Sequence, residues 1–136
     1  MTLLAHMLVL MLLCPGMANA QSTSHVQDSP VIQADNFQEQ ATQDIDDGKM
    51  DAALDLMVKA IQLDPSAQRY MNYGSMLFGN GVAVFKGGNQ TKGRKILEEA
   101  EDQLHKAIAR FNPYKDQVYL SQCFFLLGEM YTLFKA

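Results

Sequence analysis

The side chains in this 136-residue chain that could do chemistry are few and scattered. His105 stands beside Lys106 with no Cys, Asp and Glu set around it at metal-ligand spacing, and His25 lies in a polar stretch with no such set either. Cys123 falls within an apolar run that holds no histidine, so an inert buried thiol is expected there, not a nucleophile. The segment "DIDDGKMD", Asp44 to Asp51, loosely follows a calcium loop. Its glycine comes one position early and its twelfth position is Asp55 where a bidentate Glu belongs, so the segment reads as a helix end and a turn. "NQT" at Asn89 is a glycosylation acceptor only in a host that modifies exported chains. No catalytic residue, cofactor site or metal site is therefore expected, and a non-enzymatic role follows.

The first twenty residues carry no Asp, Glu, Lys or Arg. They form an apolar run broken at Pro15-Gly16 and closed by Ala18-Asn19-Ala20, the small-x-small ending of a secretory signal. The run breaks after roughly a dozen residues, short of the ~20 that a membrane-spanning helix needs. Leu13 before Cys14 is too large for a lipid-attachment site. Export to the periplasm or the exterior is expected, with residues 1–20 removed and no stable membrane span left. Residues 21–35 then read as a flexible polar leader, and 36–136 as one domain. Residues 21–136 together hold the whole formal charge of −4 and one cysteine, so packing alone must hold the domain. The acidic balance argues against nucleic acid, whose phosphates it would repel.

Within 36–136 the apolar residues recur with helical period, and nothing alternates as a strand would. Asp35 and Gln38 have the spacing of a capping box, ahead of Phe37, Ala41 and Ile45 on one face. Gly48 ends that helix. A second runs Met50 to Leu63, stopped by Pro65. A long pair follows, Gln68 to about Phe85 and Arg94 to Phe111, joined through "KGGNQTKG", and a last helix runs roughly from Asp116 to Phe134. The expected class is all-α, with about five helices.

Two of these helices share a pattern: Ala53, Met57, Ala60 and Ala100, Leu104, Ala107, each followed by an isoleucine and ending in Asp-Pro or Asn-Pro. Residues four and seven apart lie on one helix face, so each triplet makes a seam that another helix axis can approach closely. With Phe37, Ala41, Gly48 and Pro65 around the first triplet, the chain resembles the tetratricopeptide repeat family, a helical-hairpin solenoid with a period near 34. Tyr70, Tyr73-Gly74 and Leu77 ahead of the second triplet and Pro113 give a second repeat, and Phe124, Leu127-Gly128 and Tyr131 a third half-repeat. The resemblance covers about residues 36–134. The second repeat departs from it: Gly74 to Ala100 spans 26 residues where the family has about twelve. The excess, two heptads, would lengthen both helices without turning their faces and put a hairpin tip at Gly87-Gly88-Asn89. Gly79 and Gly81 leave a broken helix as the alternative.

The resemblance implies that the first helix of each repeat lines a concave groove. Its residues would be Gln38, Thr42 and Asp46, then Met71, Asn72, Ser75 and Phe78, then Gln122, Phe125 and Glu129. Asn72 alone stands where some members grip a terminal carboxylate, so an apolar or extended protein segment is the expected client. The last helix, "VYLSQCFFLLGEMYTLF", is apolar on nearly every face, so some of Tyr119, Leu126, Leu133 and Phe134 should lie exposed, for a second copy or another protein. The alternative is that the long hairpin covers them. The function expected is a scaffold, adaptor or envelope-assembly factor. The rival is a carrier of a small apolar molecule or lipid, held between the long hairpin and the last helix.

Overall fold

The computed structural model describes residues 29–135. The expected signal and most of the polar leader lie outside these residues. The described chain is all-α, with helices α1 (Pro30–Asp46), α2 (Met50–Leu63), α3 (Ala67–Lys86), α4 (Gln90–Ile108) and α5 (Gln117–Lys135).

The first helix starts earlier than Asp35. Ser29 caps it, its Oγ accepting from the Ile32 amide at 3.3 Å, and Pro30 sits in the first turn, where its missing N–H costs nothing. Residues 30–35 of the expected leader are therefore helical, and Asp35 is not a cap. The Ala34–Ala41 pair, seven apart and buried, extends the alanine seam to α1. Gly48, at φ 75°, turns the chain tightly into α2, which occupies Met50 to Leu63 as expected.

The long hairpin forms as two unbroken helices, and its tip falls at Gly87-Gly88-Asn89. α4 begins at Gln90, four residues before Arg94, because the Asn89 side chain accepts from the Lys92 amide at 3.1 Å and caps a new helix at once. Pairing is antiparallel and close. A Cβ on Gly74 would lie 2.9 Å from Leu104 Cγ, and one on Gly81 2.7 Å from Leu97 Cγ. Gly81, expected to weaken α3, thus gives a leucine of α4 its seat.

At the other end α4 stops at Ile108. Phe111 then folds in and stacks on Tyr119 of α5, ring centroids 5.4 Å apart. Both expected seams are closed: Ala53, Met57, Ala60, Ala100, Leu104 and Ala107 are all 0% exposed. α2 packs on α3, and α5 packs on both α3 and α4. The core runs through all five helices.

Candidate binding surface

Two helices converge at the far end of the hairpin. There α3 and α5 wall a cleft of about 250 Å³, lined by Phe78, Val82 and Lys86 on one side and by Glu129, Thr132 and Leu133 on the other. Phe78, Val82 and Lys86 are four apart, so each presents the same side of α3. Phe78, Val82 and Leu133 supply its apolar side chains, all half-buried. Lys86 and Glu129 put one charge of each sign on the rim. Such a site suits one large apolar side chain flanked by polar or charged groups.

Phe78, Glu129 and Leu133 are thus brought together. Val82, Lys86 and Thr132 were not foreseen in the sequence, although continuing the step of four from Phe78 reaches the first two. The other expected groove residues fall elsewhere. Met71 is buried and belongs to the core, because its side of α3 faces the packed helices. Ser75 is half-buried and its hydroxyl donates back to the Met71 carbonyl at 2.9 Å, while Asn72 is half-buried on α3. Thr42 and Asp46 border a hollow of about 580 Å³ whose lining comes from α1 alone, with Asn36, Glu39, Gln40 and Gln43. That hollow is the larger, yet one polar helix side gives a ligand no opposing wall, so the two-walled cleft is the better site. Gln122 and Phe125 are exposed on α5, seven and four residues before Glu129.

Gln38 has a different task. Its Oε1 accepts from Nη1 of Arg69 at 3.3 Å, while Arg69 Nη2 meets Asp35 Oδ1 at 2.6 Å and Nε meets Asp64 Oδ2 at 2.9 Å. The Arg69 side chain is 6% exposed. Burial opposes its charge, but the hydrogen bonds and attraction of Asp35 and Asp64 outweigh that and raise its pKa. Arg69 therefore ties α1 and the α2–α3 turn to the start of α3. A cation so enclosed holds the two hairpins together and offers nothing to a ligand's carboxylate.

The expected exposed set on α5 needs correcting. Tyr119, Leu126, Leu133 and Phe134 are half-buried against the core, and the Phe134 ring lies under the Arg94 guanidinium at 5.0 Å. The long hairpin covers that side of α5. The uncovered apolar residues are Val118, Phe124, Phe125 and Tyr131, at 78, 58, 65 and 55% exposure.

His105 is exposed, with Nε2 3.8 Å from Glu101 Oε1 on the next turn. Cys123 is fully buried, and burial pushes its thiol pKa up against the smaller effect of a backbone hydrogen bond. Tyr73 is buried and donates to Glu99 at 3.0 Å; burial first, and then the Glu99 charge, push its pKa well above the ordinary phenol range. Among the described residues no cluster of His, Cys, Asp and Glu could hold a metal, and no helix is long and apolar enough to cross a membrane. Comparison with protein-family models, with curated proteins and with solved structures returns no match to this chain.

Proposed function

We propose that this chain is an exported, tetratricopeptide-like module that binds another protein and carries out no reaction. The observation behind this reading is the α3–α5 cleft, whose two walls bring Phe78, Val82 and Leu133 under a rim of Lys86 and Glu129. It receives an apolar side chain from an extended or helical segment of the client, and the rim charges orient the flanking residues. The cleft volume of about 250 Å³ lies below the ~300–1,000 Å³ typical of small-molecule sites, which favours a protein side chain over a lipid. The acidic, all-α domain behind a signal-like N-terminus agrees with an adaptor or assembly factor in the periplasm or outside the cell.

The test is capture from the exported fraction of the native host, with wild type beside Val82→Trp, which fills the cleft, and Lys86→Glu, which alters an exposed rim position. A stoichiometric protein held by wild type and lost from both variants is the expected result. Native mass spectrometry on the same material reads the alternative. A bound lipid displaced by Val82→Trp, with no protein retained, would replace the adaptor by a carrier.

A further inference from the structure

Charge is unevenly divided along the chain. Residues 30–64 hold eight Asp and Glu against two Lys, whereas Pro65 to Leu97 contains no carboxylate side chain at all. The cations of that second stretch are Arg69, Lys86, Lys92, Arg94 and Lys95. Arg69 is neutralised by Asp35 and Asp64. The other four stand at the end of α3 and in the first turns of α4, around the hairpin tip, and all are exposed. Elsewhere lysines find acid, Lys49 with Asp47 and Lys106 with Asp102. Among the described residues none of the four tip cations forms an ion pair.

These unpaired cations border the α3–α5 cleft. Lys86 belongs to its α3 wall. Arg94 lies over the Phe134 ring at 5.0 Å, next to Leu133 of the α5 wall, and Lys95 follows it on α4. The last turn of α5 therefore runs between a cation from each arm of the hairpin. Against them stand two carboxylates, Glu129 on the cleft rim and Glu98 one turn along from Arg94. A ligand that satisfies both parts of this surface has a large apolar group for the cleft and negative charge on either side of it. An anionic membrane fits less well, because membrane docking needs apolar side chains that project. The tip presents Gly87, Gly88 and Asn89, and Phe78, Val82 and Leu133 are half-buried between helices.

We propose that the client segment held by the α3–α5 cleft is acidic. One large apolar side chain enters beside Phe78, Val82 and Leu133, and carboxylates flanking it in the client meet Lys86 on one side and Arg94 and Lys95 on the other. The inference rests on the reading of the chain as a protein-binding module and adds the chemistry of its partner.

The probes are fluorescent peptides titrated into the full chain and followed by anisotropy. One is Glu-Glu-Asp-Phe-Asp-Glu-Glu, the second its neutral counterpart Gln-Gln-Asn-Phe-Asn-Gln-Gln, and the third the acidic peptide with serine for phenylalanine. Exposed ion pairs are individually weak, so the set should give the acidic peptide a roughly tenfold advantage over the neutral one at ~0.1 M salt. At ~1 M salt, where the screening length falls to ~3 Å, most of that advantage should vanish. Arg94→Gln combined with Lys95→Gln should cut it to about threefold or less. The ratio of two affinities is read on one sample, so a variant that folds less well does not alter it. Val82→Trp should weaken both phenylalanine peptides. Equal binding of the acidic and neutral peptides overturns the proposal, and leaves the cleft reading standing where Val82→Trp still weakens them. Equal binding of the serine and phenylalanine acidic peptides, or no binding of any peptide, overturns both. Sedimentation of wild type and Val82→Trp alike with phosphatidylglycerol-containing vesicles, but not with phosphatidylcholine alone, also overturns the proposal, because the cations would then serve a lipid surface. So does self-association in light scattering at ~0.1 M salt that the Arg94→Gln and Lys95→Gln pair abolishes, because a second copy would then be the acidic partner.

Discussion

Replacing Arg69 by methionine tests whether the hairpins are held in place by one buried cation. Methionine keeps much of the aliphatic volume and removes every hydrogen bond to Asp35, Gln38 and Asp64. Breaking a fully buried ion pair costs about 3–5 kcal/mol, whereas an exposed pair contributes at most ~1 kcal/mol. Asp64 is 25% exposed and Asp35 64% exposed, so water recovers most of the solvation of Asp35 and part of that of Asp64. The expected loss is therefore about 2 kcal/mol, or roughly 10 °C in Tm for a domain of this size. Urea unfolding of the full chain followed by circular dichroism reads the first number, and calorimetry the second. The loss should also have a location. Among the described residues α1 packs its backbone on α2 and reaches α3 through Arg69, so α1 amides should exchange faster in Arg69→Met while the α3–α4 amides hold. A loss below about 0.5 kcal/mol, the range of ordinary surface changes, would refute the reasoning, as would uniform acceleration of exchange along the chain.

Two further outcomes follow from single positions. Gly79→Ala should stabilise the chain by about 1 kcal/mol in urea unfolding, since it lies inside α3 with open space around the new methyl. Gly93→Ala should destabilise it by about 1 kcal/mol, because its Cβ would sit 2.5 Å from the Phe85 nitrogen and the backbone strain exceeds the same gain in propensity; equal signs would sink the argument. Tyr73 makes stability fall in alkali. Its folded pKa lies above the unfolded value of ~10, so between the two the unfolded chain holds fewer protons, and the stability that is complete below pH ~10 is lost as pH rises from there through the folded value. Absorbance at 295 nm should show one of the five tyrosines ionising above the others, and Tyr73→Phe should abolish that late phase.

What was legible in the sequence was what depends on near neighbours. Met50–Leu63 was read to both ends because Gly48 precedes it, Pro65 follows it, and the alanine step of three and four leaves one possible inward face. The same step picked out the seams at Ala53–Ala60 and Ala100–Ala107, since small residues seven apart serve little purpose on a helix unless another backbone comes close. Asp35 shows where local reading fails. As sequence it makes a good cap, with Gln38 three residues on. Its partner Arg69 is 34 positions away, and the Ser29-Pro30 pair that does start the helix sits in a stretch too polar to stand out. α5 fails differently: apolar residues occur all round it, so periodicity cannot say which side faces inward. Packing against α3 and α4 decided for Cys123, Leu127 and Met130, and left Phe124, Phe125 and Tyr131 outside.

The cleft comes from the length of the α3–α4 hairpin, and the reason is geometric. The seats Gly74 and Gly81 are seven apart, as are the leucines Leu104 and Leu97 that fill them, so the later turns of α3 continue the contact of the earlier ones. The other side of those turns carries Val82 and Lys86. These two residues form the wall opposite Glu129, Thr132 and Leu133. With a short hairpin, α5 would face solvent along its last two turns and Phe78 would have no continuation. The same extension covers Leu133 and Phe134, leaving the opposite side of α5 as its exposed apolar face. The length of the hairpin thus sets both features: it builds the cleft on one side of α5 and confines the uncovered aromatic residues to the other.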